Sequence, residues 1–237
     1  MILAGHQPEY LPYLGFCHKA MSVDIFMIVD HVQYGKKQFQ NRNRIHANHG
    51  SAGWALLTVP VITHDRFEQR ICDVEINNTT DWNEKHFKSI YFAYKGSAFF
   101  QDYISLLEDI YKQKWTKLAL LNETLIKAIF QAMGINVKMA KSSDLLIEGK
   151  KTEMLINMCR QVGADGYLSG QGGKHYVNEE EFTKVGLTHQ FLEFNHPVYR
   201  QKFKPFIPYM SSIDLLFNCG PQSKEIILAA QTPKQLS

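Results

Sequence analysis

The chain begins with Met1–Val29, MILAGHQPEYLPYLGFCHKAMSVDIFMIV, and this stretch decides the predicted fold. Met1–Ala4 is a short apolar run that ends at a glycine, as a buried parallel strand does. A helix is predicted over Leu14–Met21, and Ile25–Val29 is a second continuous apolar run. A strand, a loop, a helix and a strand within about thirty residues form a βαβ unit, which implies a parallel sheet with a right-handed crossover.

The remaining sequence extends this α/β pattern. Apolar residues at helical spacing predict a helical insertion over about 80–133, with Gly134 as its C-cap. We therefore expect a single α/β domain over residues 1–237: a Rossmann-like, mostly parallel sheet flanked by helices and interrupted by that insertion. Further strands are predicted over Trp54–Val61, Ile71–Ile76, Ile135–Met139, 166–170 and Thr188–Phe194, and further helices over Lys151–Val162 and Glu179–Lys184.

Composition narrows the class of protein. Hydrophobic residues make up 45% and charged residues 21%, and no run approaches the roughly 18 apolar residues of a membrane span. The net charge of +3 is dispersed, which argues against a nucleic-acid partner. The N-terminus lacks the pattern of a signal peptide, no cysteines form a CxxC pair, and no metal-ligand motif occurs. These features predict a cytoplasmic protein without a metal site; the sequence allows a homodimer but does not establish one.

The first polar cluster, HQPEYLPY, follows the first strand, where open α/β sheets bind their ligands. Two prolines stiffen this loop and lower the ordering entropy of any group that it presents. His6 is a candidate acid or base, and Gln7, Tyr10 and Tyr13 are candidate substrate contacts. The alternative is a stiffened turn whose histidine and tyrosines are buried for stability.

A second polar cluster follows the second strand, so a parallel sheet would place it at the same edge. Asp30 comes directly after the apolar run and could bind a ribose, a metal or an amine. The arginines downstream could hold a phosphate or carboxylate by bidentate hydrogen bonds, although a polar hairpin or an exposed loop explains them equally well. The candidate binding residues here are Gln33, Tyr34, Asn41, Arg42, Asn43 and Arg44.

The third cluster is the glycine-rich stretch 165–176. Its glycines would expose backbone N–H groups that can cradle an anion, with charge added by Lys174 and His175. The spacing matches neither the dinucleotide fingerprint nor the P-loop, and a tight turn is the alternative. Because GxSxG is absent, Ser169 is not predicted to be a nucleophile. The candidate binding residues are Tyr167, Ser169, Gly170, Lys174 and Tyr176.

Near the C-terminus, Tyr199 and Gln201 could line a pocket or close the sheet. Ser211 is a predicted N-cap, and Asp214 three residues later suggests a capping box, so a structural role is expected for both.

Taken together, these strings resemble the WbqC-like family over nearly the whole chain. The N-terminal half carries His6-Gln7-Pro8, Pro12-Tyr13-Leu14-Gly15-Phe16, Asp24, Asp30, Gln33-Tyr34, Asn41-Arg42-Asn43 and Leu57-Thr58-Val59-Pro60-Val61. The C-terminal half carries Tyr167-Leu168-Ser169-Gly170, Tyr199, Gln201, Ser211, Asp214-Leu215-Leu216-Phe217-Asn218 and Gly220. The resemblance implies an association with bacterial O-antigen and other surface-polysaccharide gene clusters. It also implies a role proposed for the family, the transfer of a glycyl group to an amino sugar.

The resulting hypothesis is a transferase that attaches an aminoacyl or other acyl group to the amine of a nucleotide-linked amino sugar. His6 or Asp30 would be the base; Arg42, Arg44 and the glycine turn with Lys174 would hold phosphate. Tyrosines 10, 13, 167 and 176 would contact sugar and base. The sequence does not identify a cofactor; ATP and Mg²⁺ would be required if the acyl group is activated in situ. The alternatives are a non-catalytic nucleotide-sugar or partner-binding module of polysaccharide assembly, and a nucleotidyltransferase-like enzyme.

Overall fold

The structure is a computed structural model, and it describes residues 1–47 and 52–230. Within these ranges the strands are β1 (Ile2–His6), β2 (Ile25–Ile28), β3 (Arg42–His46), β4 (Trp54–Thr58), β5 (Lys138–Lys141), β6 (Gly166–Ser169) and β7 (Thr188–Phe191). The helices are α1 (Leu14–Met21), α2 (Trp82–Tyr94), α3 (Phe100–Tyr111), α4 (Leu118–Ala132), α5 (Lys151–Val162), α6 (Glu179–Lys184), α7 (Ser212–Cys219) and α8 (Ser223–Leu228).

The centre of the fold is a five-stranded sheet in the order β5-β2-β1-β6-β7, in which every neighbouring pair is parallel. Strands β1 and β2 read as continuous apolar runs because helices cover both faces of the sheet. Leu3 and Ala4 are fully buried, and Leu3 pairs with Ile25 across the ladder. The predicted βαβ unit and the Rossmann-like, helix-flanked parallel sheet are therefore confirmed.

The strand order reverses at β1. The chain adds β2 and β5 on one side of β1, and β6 and β7 on the other. Open α/β sheets bind ligands outside the carboxyl ends of their strands at such a reversal. Here those ends are His6 of β1 and Ser169 of β6, so the loop after β1 and the glycine turn after β6 adjoin the same crevice.

Strands β3 and β4 form a separate two-stranded antiparallel sheet. Arg42 pairs with Thr58 and Arg44 with Leu56, so the Asn/Arg run is one arm of a polar hairpin, as one of the two interpretations held. The predicted strand Trp54–Val61 ends at Thr58, just before Pro60, which cannot donate to a ladder.

The predicted helical insertion is present as α2, α3 and α4. Gly134 has φ +65°, and the Ile135 N–H donates to the Phe130 carbonyl (2.8 Å), which completes the C-terminal turn of α4. The strand predicted from Ile135 is therefore wrong at its start, since β5 begins at Lys138. The prediction for Ile71–Ile76 is also wrong: residues 71–73 form a single 3₁₀ turn closed by a bond from the Val74 N–H to the Ile71 carbonyl (3.3 Å).

Two apolar clusters cover the two faces of the sheet. The larger one joins α1, the insertion helices and α7, and includes Leu14, Phe26 and Phe217. The smaller one lies beneath α5 and α6 and includes Tyr167 and Phe182. Across the described residues, no helix combines the length and apolar character needed to cross a membrane.

Candidate active site

The Gly5–Phe16 loop follows β1 and is held from several directions. Asn122 of α4 donates its amide to the Pro8 carbonyl (3.2 Å) and to the Gln40 carbonyl (2.7 Å). Leu11 is fully buried at φ +48°, a conformation that costs a non-glycine residue energy, and its carbonyl accepts from the Asn43 side chain (2.7 Å). A strained backbone conformation of this kind persists only where surrounding contacts hold it in place. The hydrogen bonds from neighbouring segments therefore fix the conformation of the loop.

A cleft of about 420 Å³ opens between this loop, the hairpin and the segment before α7. Tyr209, which contributes one edge, is also in the left-handed region at φ +58°. Strained residues cluster at binding and catalytic sites, and two of them adjoin this cleft. We call it the Glu9 cleft; it is lined by Glu9, Tyr13, Phe39, Asn43, Arg44 and Tyr209.

Glu9 is the chemically distinctive residue of the cleft. It is only 8% exposed, and its Oε2 atom has no hydrogen-bond partner among the described residues. Its Oε1 atom lies 3.9 Å from His6 Nε2. Burial raises the pKa of Glu9 to about 8, and the Tyr13 backbone and Lys19 oppose that shift. Sequence analysis missed Glu9, although it is the only carboxylate in GHQPEYLPYLGF.

His6 lies beside Glu9 but is itself a weak base. Its Nδ1 lies 2.9 Å from the Gln7 carbonyl and must donate there, which leaves Nε2 as an acceptor. Burial, together with nearby Lys19, lowers the pKa of His6 to about 3. The ring is therefore neutral at pH 7 and takes up a proton less readily than Glu9 does.

Lys19 of α1 connects the cleft to the crevice between β1 and β6. It is 6% exposed, and its Nζ donates to the Gly5 carbonyl (2.7 Å). A Cβ atom added to Gly170 would lie 3.8 Å from the same Nζ. Burial lowers the pKa of Lys19 to about 8, and Glu9 opposes the change. The β1 loop and the glycine turn therefore meet at this lysine.

Both carboxylate oxygens of Asp30 accept hydrogen bonds within the protein, which limits the capacity of this side chain for catalysis. One carboxylate oxygen accepts from the Ser142 hydroxyl (3.1 Å) and the Ser143 N–H (2.9 Å), and the other accepts from the Ser143 hydroxyl (2.9 Å). The side chain is 1% exposed. These bonds tie the end of β2 to residues 142–143, so the geometry favours a structural role over the catalytic one predicted.

Several tyrosines predicted to contact substrate are core residues instead. Tyr10 is fully buried; its hydroxyl bonds to His86 Nδ1 (2.8 Å) and to the Tyr111 hydroxyl. Tyr167 is 4% exposed and accepts from the Gly5 N–H (3.1 Å). The hydroxyls of Tyr10 and Tyr167 are hydrogen-bonded within the protein, and both side chains are buried. Neither side chain is therefore accessible to a ligand. Tyr34, at 7% exposure, is also part of the core.

The hairpin contributes unequally to the cleft. Arg44 lines it, and its guanidinium lies 4.4 Å from the Trp54 ring centre. Asn43 also lines it while its amide holds the Leu11 carbonyl. Asn41 is buried and donates to the Val59 carbonyl (2.8 Å), which assigns it to the hairpin. Half-buried Arg42 lies at the start of β3 and is not part of the cleft lining.

The predicted glutamines lie around the loops. Exposed Gln7 accepts through its side-chain oxygen from Gln40 (2.6 Å), and Gln33 donates to the Phe67 carbonyl (2.8 Å). These bonds link loop to loop, and neither residue lines the Glu9 cleft.

The C-terminal candidates form a buried hydrogen-bond cluster. Tyr199 and Gln201 both donate to Oδ2 of Asp214, at 2.7 Å and 2.8 Å. Ser211 is the N-cap of α7, as predicted, because its side chain accepts from the Ile213 N–H. The capping-box interpretation of Asp214 is wrong: its carboxylate points to these side chains, and burial raises its pKa.

The glycine turn after β6 is a five-residue 3₁₀ helix, Gln171–His175. Exposed Lys174 lies 5.7 Å from the Phe191 ring centre, and Tyr176 is 46% exposed. Neither belongs to the cleft lining, so the glycine turn reaches the cleft only through Gly170 and Lys19. Across residues 1–47 and 52–230, no group of three or more His, Cys, Asp or Glu side chains is arranged to hold a metal ion.

Comparison with known proteins places the chain in a family. A model of the WbqC-like protein family matches residues 7–226. A Mycobacterium tuberculosis protein (strain ATCC 25618 / H37Rv), described as "Uncharacterized protein Rv1507c", is 35% identical over 223 residues. The match covers 93% of this chain and 95% of that protein. No solved structure matches the chain. The family match spans nearly all of the sheet, the insertion and the cleft, and this chain belongs to the WbqC-like protein family.

Proposed function

We propose that the protein transfers an acyl or aminoacyl group to the primary amine of a nucleotide-linked amino sugar, and that the amine binds Glu9. One observation carries the proposal: a buried carboxylate oxygen without a partner among the described residues, on a residue that lines a cleft. Leaving such an atom unpaired costs roughly 1–3 kcal/mol or more, which a ligand that donates a hydrogen bond would recover.

The walls of the cleft favour a cationic donor. Tyr13, Phe39 and Tyr209 supply aromatic rings around the acid, and an ammonium over such rings gains about 0.5–2 kcal/mol. Burial raises the pKa of Tyr13 to about 12, with Glu9 contributing, so its hydroxyl remains protonated at neutral pH. An amine flanked by a carboxylate and aromatic faces fits this lining better than a neutral sugar hydroxyl does.

The protonation behaviour of Glu9 suits proton removal from that amine. With its pKa near 8, Glu9 exchanges a proton close to neutral pH, where general acid–base groups work best. The sugar ammonium donates to Oε2 and gives up its proton, and the free amine attacks the acyl carbonyl carbon. A C–N bond forms as the bond from that carbon to the leaving group breaks, and the proton that the attacking nitrogen then loses leaves with the departing group. Nε2 of the neutral His6 ring lies 3.9 Å from Oε1 of Glu9, which is beyond hydrogen-bond distance, so the ring is a neighbour of the acid and not its hydrogen-bond partner.

Arg44 is the anion-binding residue of this proposal. Its guanidinium lies at the cleft and is oriented by the Trp54 ring, which leaves its donors available in a fixed plane. The diphosphate of the nucleotide is a suitable partner for that plane. Surface-polysaccharide synthesis, to which the family resemblance points, uses nucleotide-linked amino sugars as building blocks.

The experiment incubates purified protein with a nucleoside-diphosphate-linked amino sugar and a panel of donors: glycine with ATP and Mg²⁺, and acyl thioesters. Mass spectrometry detects the amide product. Glu9→Gln keeps the shape of the side chain but cannot accept the proton, so we expect kcat/KM to fall about 100-fold or more. Glu148→Gln changes an exposed carboxylate far along the chain and serves as the matched control.

A binding module is the second candidate function. Among the described residues that line the cleft there is no cysteine or serine nucleophile, which is consistent with ligand capture without turnover. Titration calorimetry with the same amino sugar separates the two. Binding that is weakened by Glu9→Gln, without product from any donor, supports the module; absence of both binding and product rejects both functions.

A further inference from the structure

Ser169, His189 and Glu179 form a chain of contacts outside the Glu9 cleft. The Ser169 hydroxyl oxygen lies 2.8 Å from Nε2 of His189. Nδ1 of the same ring lies 3.5 Å from Oε2 of Glu179. A hydroxyl, an imidazole and a carboxylate in this order are the parts of a serine nucleophile with its base and the group that orients the base.

The fold builds this cluster from three neighbouring elements. Ser169 ends β6 at the strand-order reversal, and His189 lies on β7, where its ring stacks at 6° on that of Tyr167. Phe182 and Phe191 hold the ring from other directions, each with its ring centre 4.7 Å away. Glu179 is the first residue of α6. The packed rings hold the imidazole with Nε2 at hydrogen-bond distance from the serine, while Nδ1 faces the carboxylate at 3.5 Å without forming a hydrogen bond to it.

This arrangement lacks the GxSxG turn, and for that reason Ser169 carries no local motif that indicates a nucleophile. Triads recur on unrelated folds and are recognised by geometry and role, so the absent motif does not decide the question. Burial lowers the pKa of His189, and Glu179 opposes the change. The ring is thus neutral at pH 7 and able to accept a proton from a hydroxyl.

Access to Ser169 is controlled by the glycine turn. Ser169 is 3% exposed because Gln171–His175, here the cover segment, lies over it. A Cβ atom added to Gly173 would lie 3.0 Å from the Ser169 Cβ and 3.2 Å from its hydroxyl oxygen. The close approach depends on glycine, and it places the cover segment directly against the hydroxyl.

We propose that Ser169 is a second reactive centre of this protein, an acyl-accepting serine activated by His189 and Glu179 and exposed when the cover segment opens. The donor class is an activated ester or thioester. The Ser169 oxygen bonds to the carbonyl carbon while the bond to the leaving group breaks. His189 takes the serine proton and passes it to the departing alcohol or thiol. Water or an amine then attacks the acyl carbon, and the bond from that carbon to the Ser169 oxygen breaks. His189 takes the proton of the attacking group and returns it to the Ser169 oxygen.

This inference does not depend on the function of the Glu9 cleft. Ser169 points to the face covered by α5 and α6, where Tyr167 and Phe182 pack, whereas the cleft is built from the loop and the hairpin. Glu9→Gln is therefore expected to leave the reactivity of Ser169 unchanged, so failure of one proposal does not imply failure of the other.

The test treats the full chain with a fluorophosphonate probe, in which a serine oxygen displaces fluoride from phosphorus, and maps the adduct by peptide mass spectrometry. We expect an adduct on Ser169 that disappears in Ser169→Ala and persists in Ser89→Ala, an exposed serine on α2. Glu179→Gln should slow labelling about tenfold through loss of ring orientation. Glu180→Gln, the adjacent exposed acid of α6, should label at the wild-type rate.

A second variant tests access separately from activation. In Ser169→Cys, iodoacetamide should alkylate residue 169 in the native protein within hours, as resolved from the four native cysteines by peptide mapping. Alkylation of Cys at 169 only in urea would show that the cover segment stays closed and would overturn the proposal. Native alkylation without any fluorophosphonate adduct on wild-type Ser169 would overturn it as well, as would equal labelling rates for the two glutamate variants.

Discussion

Two buried carboxylates stand just past the ends of adjacent parallel strands, and they differ in how their oxygens are used. Asp30, after β2, accepts three hydrogen bonds from Ser142 and Ser143. Glu9, after β1, has one oxygen without a partner and the other 3.9 Å from a neutral histidine. Position in the fold is nearly the same for both. The difference shows that hydrogen-bond satisfaction, more than position, separates a structural acid from a candidate catalytic one.

The largest stability effect is expected at Asp30. Asp30→Ala removes the acceptor of two serine hydroxyls and one backbone N–H, so we expect the free energy of unfolding to fall by about 3 kcal/mol. Urea denaturation at pH 7 measures it. Glu9→Gln in the same assay should be neutral or stabilising, because it removes an acid that is protonated in the native state at pH 7 but ionises in the unfolded chain, which favours unfolding. A loss below about 1 kcal/mol in Asp30→Ala would contradict the structural role.

A smaller effect is expected in the pH dependence of stability. The pKa of Glu9 is raised from 4.5 to about 8, so between these values the native state binds more protons than the unfolded chain. Stability contributed by Glu9 is therefore full below pH 4.5 and is lost as the pH rises to 8. His6, whose pKa is lowered from 6.5 to about 3, acts in the opposite direction between those two values.

The difference in unfolding free energy between wild type and Glu9→Gln at each pH isolates the contribution of the Glu9 carboxyl group. We expect Glu9→Gln to gain about 2 kcal/mol relative to wild type between pH 5 and pH 8, measured by urea denaturation at each pH. Glu148→Gln should give no such gain. A flat difference across this range would show that Glu9 is not held in a desolvated site.

The smallest effect is expected at the third buried acid, Asp214. Tyr199→Phe removes one of the two side-chain donors to its Oδ2 and leaves that of Gln201 in place. We expect a loss of about 1 kcal/mol in unfolding free energy and unchanged transferase activity. Loss of activity without loss of stability would favour the interpretation that Tyr199 lines a pocket over the one in which it closes the sheet.

The elements that could be predicted are those whose signal is local. Continuous apolar runs identified β1 and β2, and helical spacing identified the insertion and α5. The polar run of β3 has no apolar period, because its partner is β4 in a small sheet outside the main one. Ile71–Ile76 carries strand-like residues, but tertiary contacts close it into a turn.

The candidate site divides in the same way. The end of the first predicted strand indicates where the loop lies. The neighbouring sequence does not indicate that Tyr10 points into the core while Glu9 points into the cleft. The partners of Asp30 lie 112 and 113 residues away in the chain, and those of Tyr10 lie 76 and 101 residues away. Side-chain roles of this kind are decided by contacts between distant segments, which a single sequence does not display.

The amide of Asn122 has a consequence for the modularity of this protein. One side chain of the insertion holds the carbonyls of Pro8 and Gln40, the chain neighbours of the cleft residues Glu9 and Phe39, and Tyr10 is held by residues of α2 and α3. The insertion therefore helps to position the residues around the cleft. It is not an independent module that can be exchanged without effect on them. Replacing the insertion with the corresponding segment of a relative is expected to change the shape of the cleft more than it changes the sheet. The insertion is therefore a region in which engineering could alter ligand selectivity.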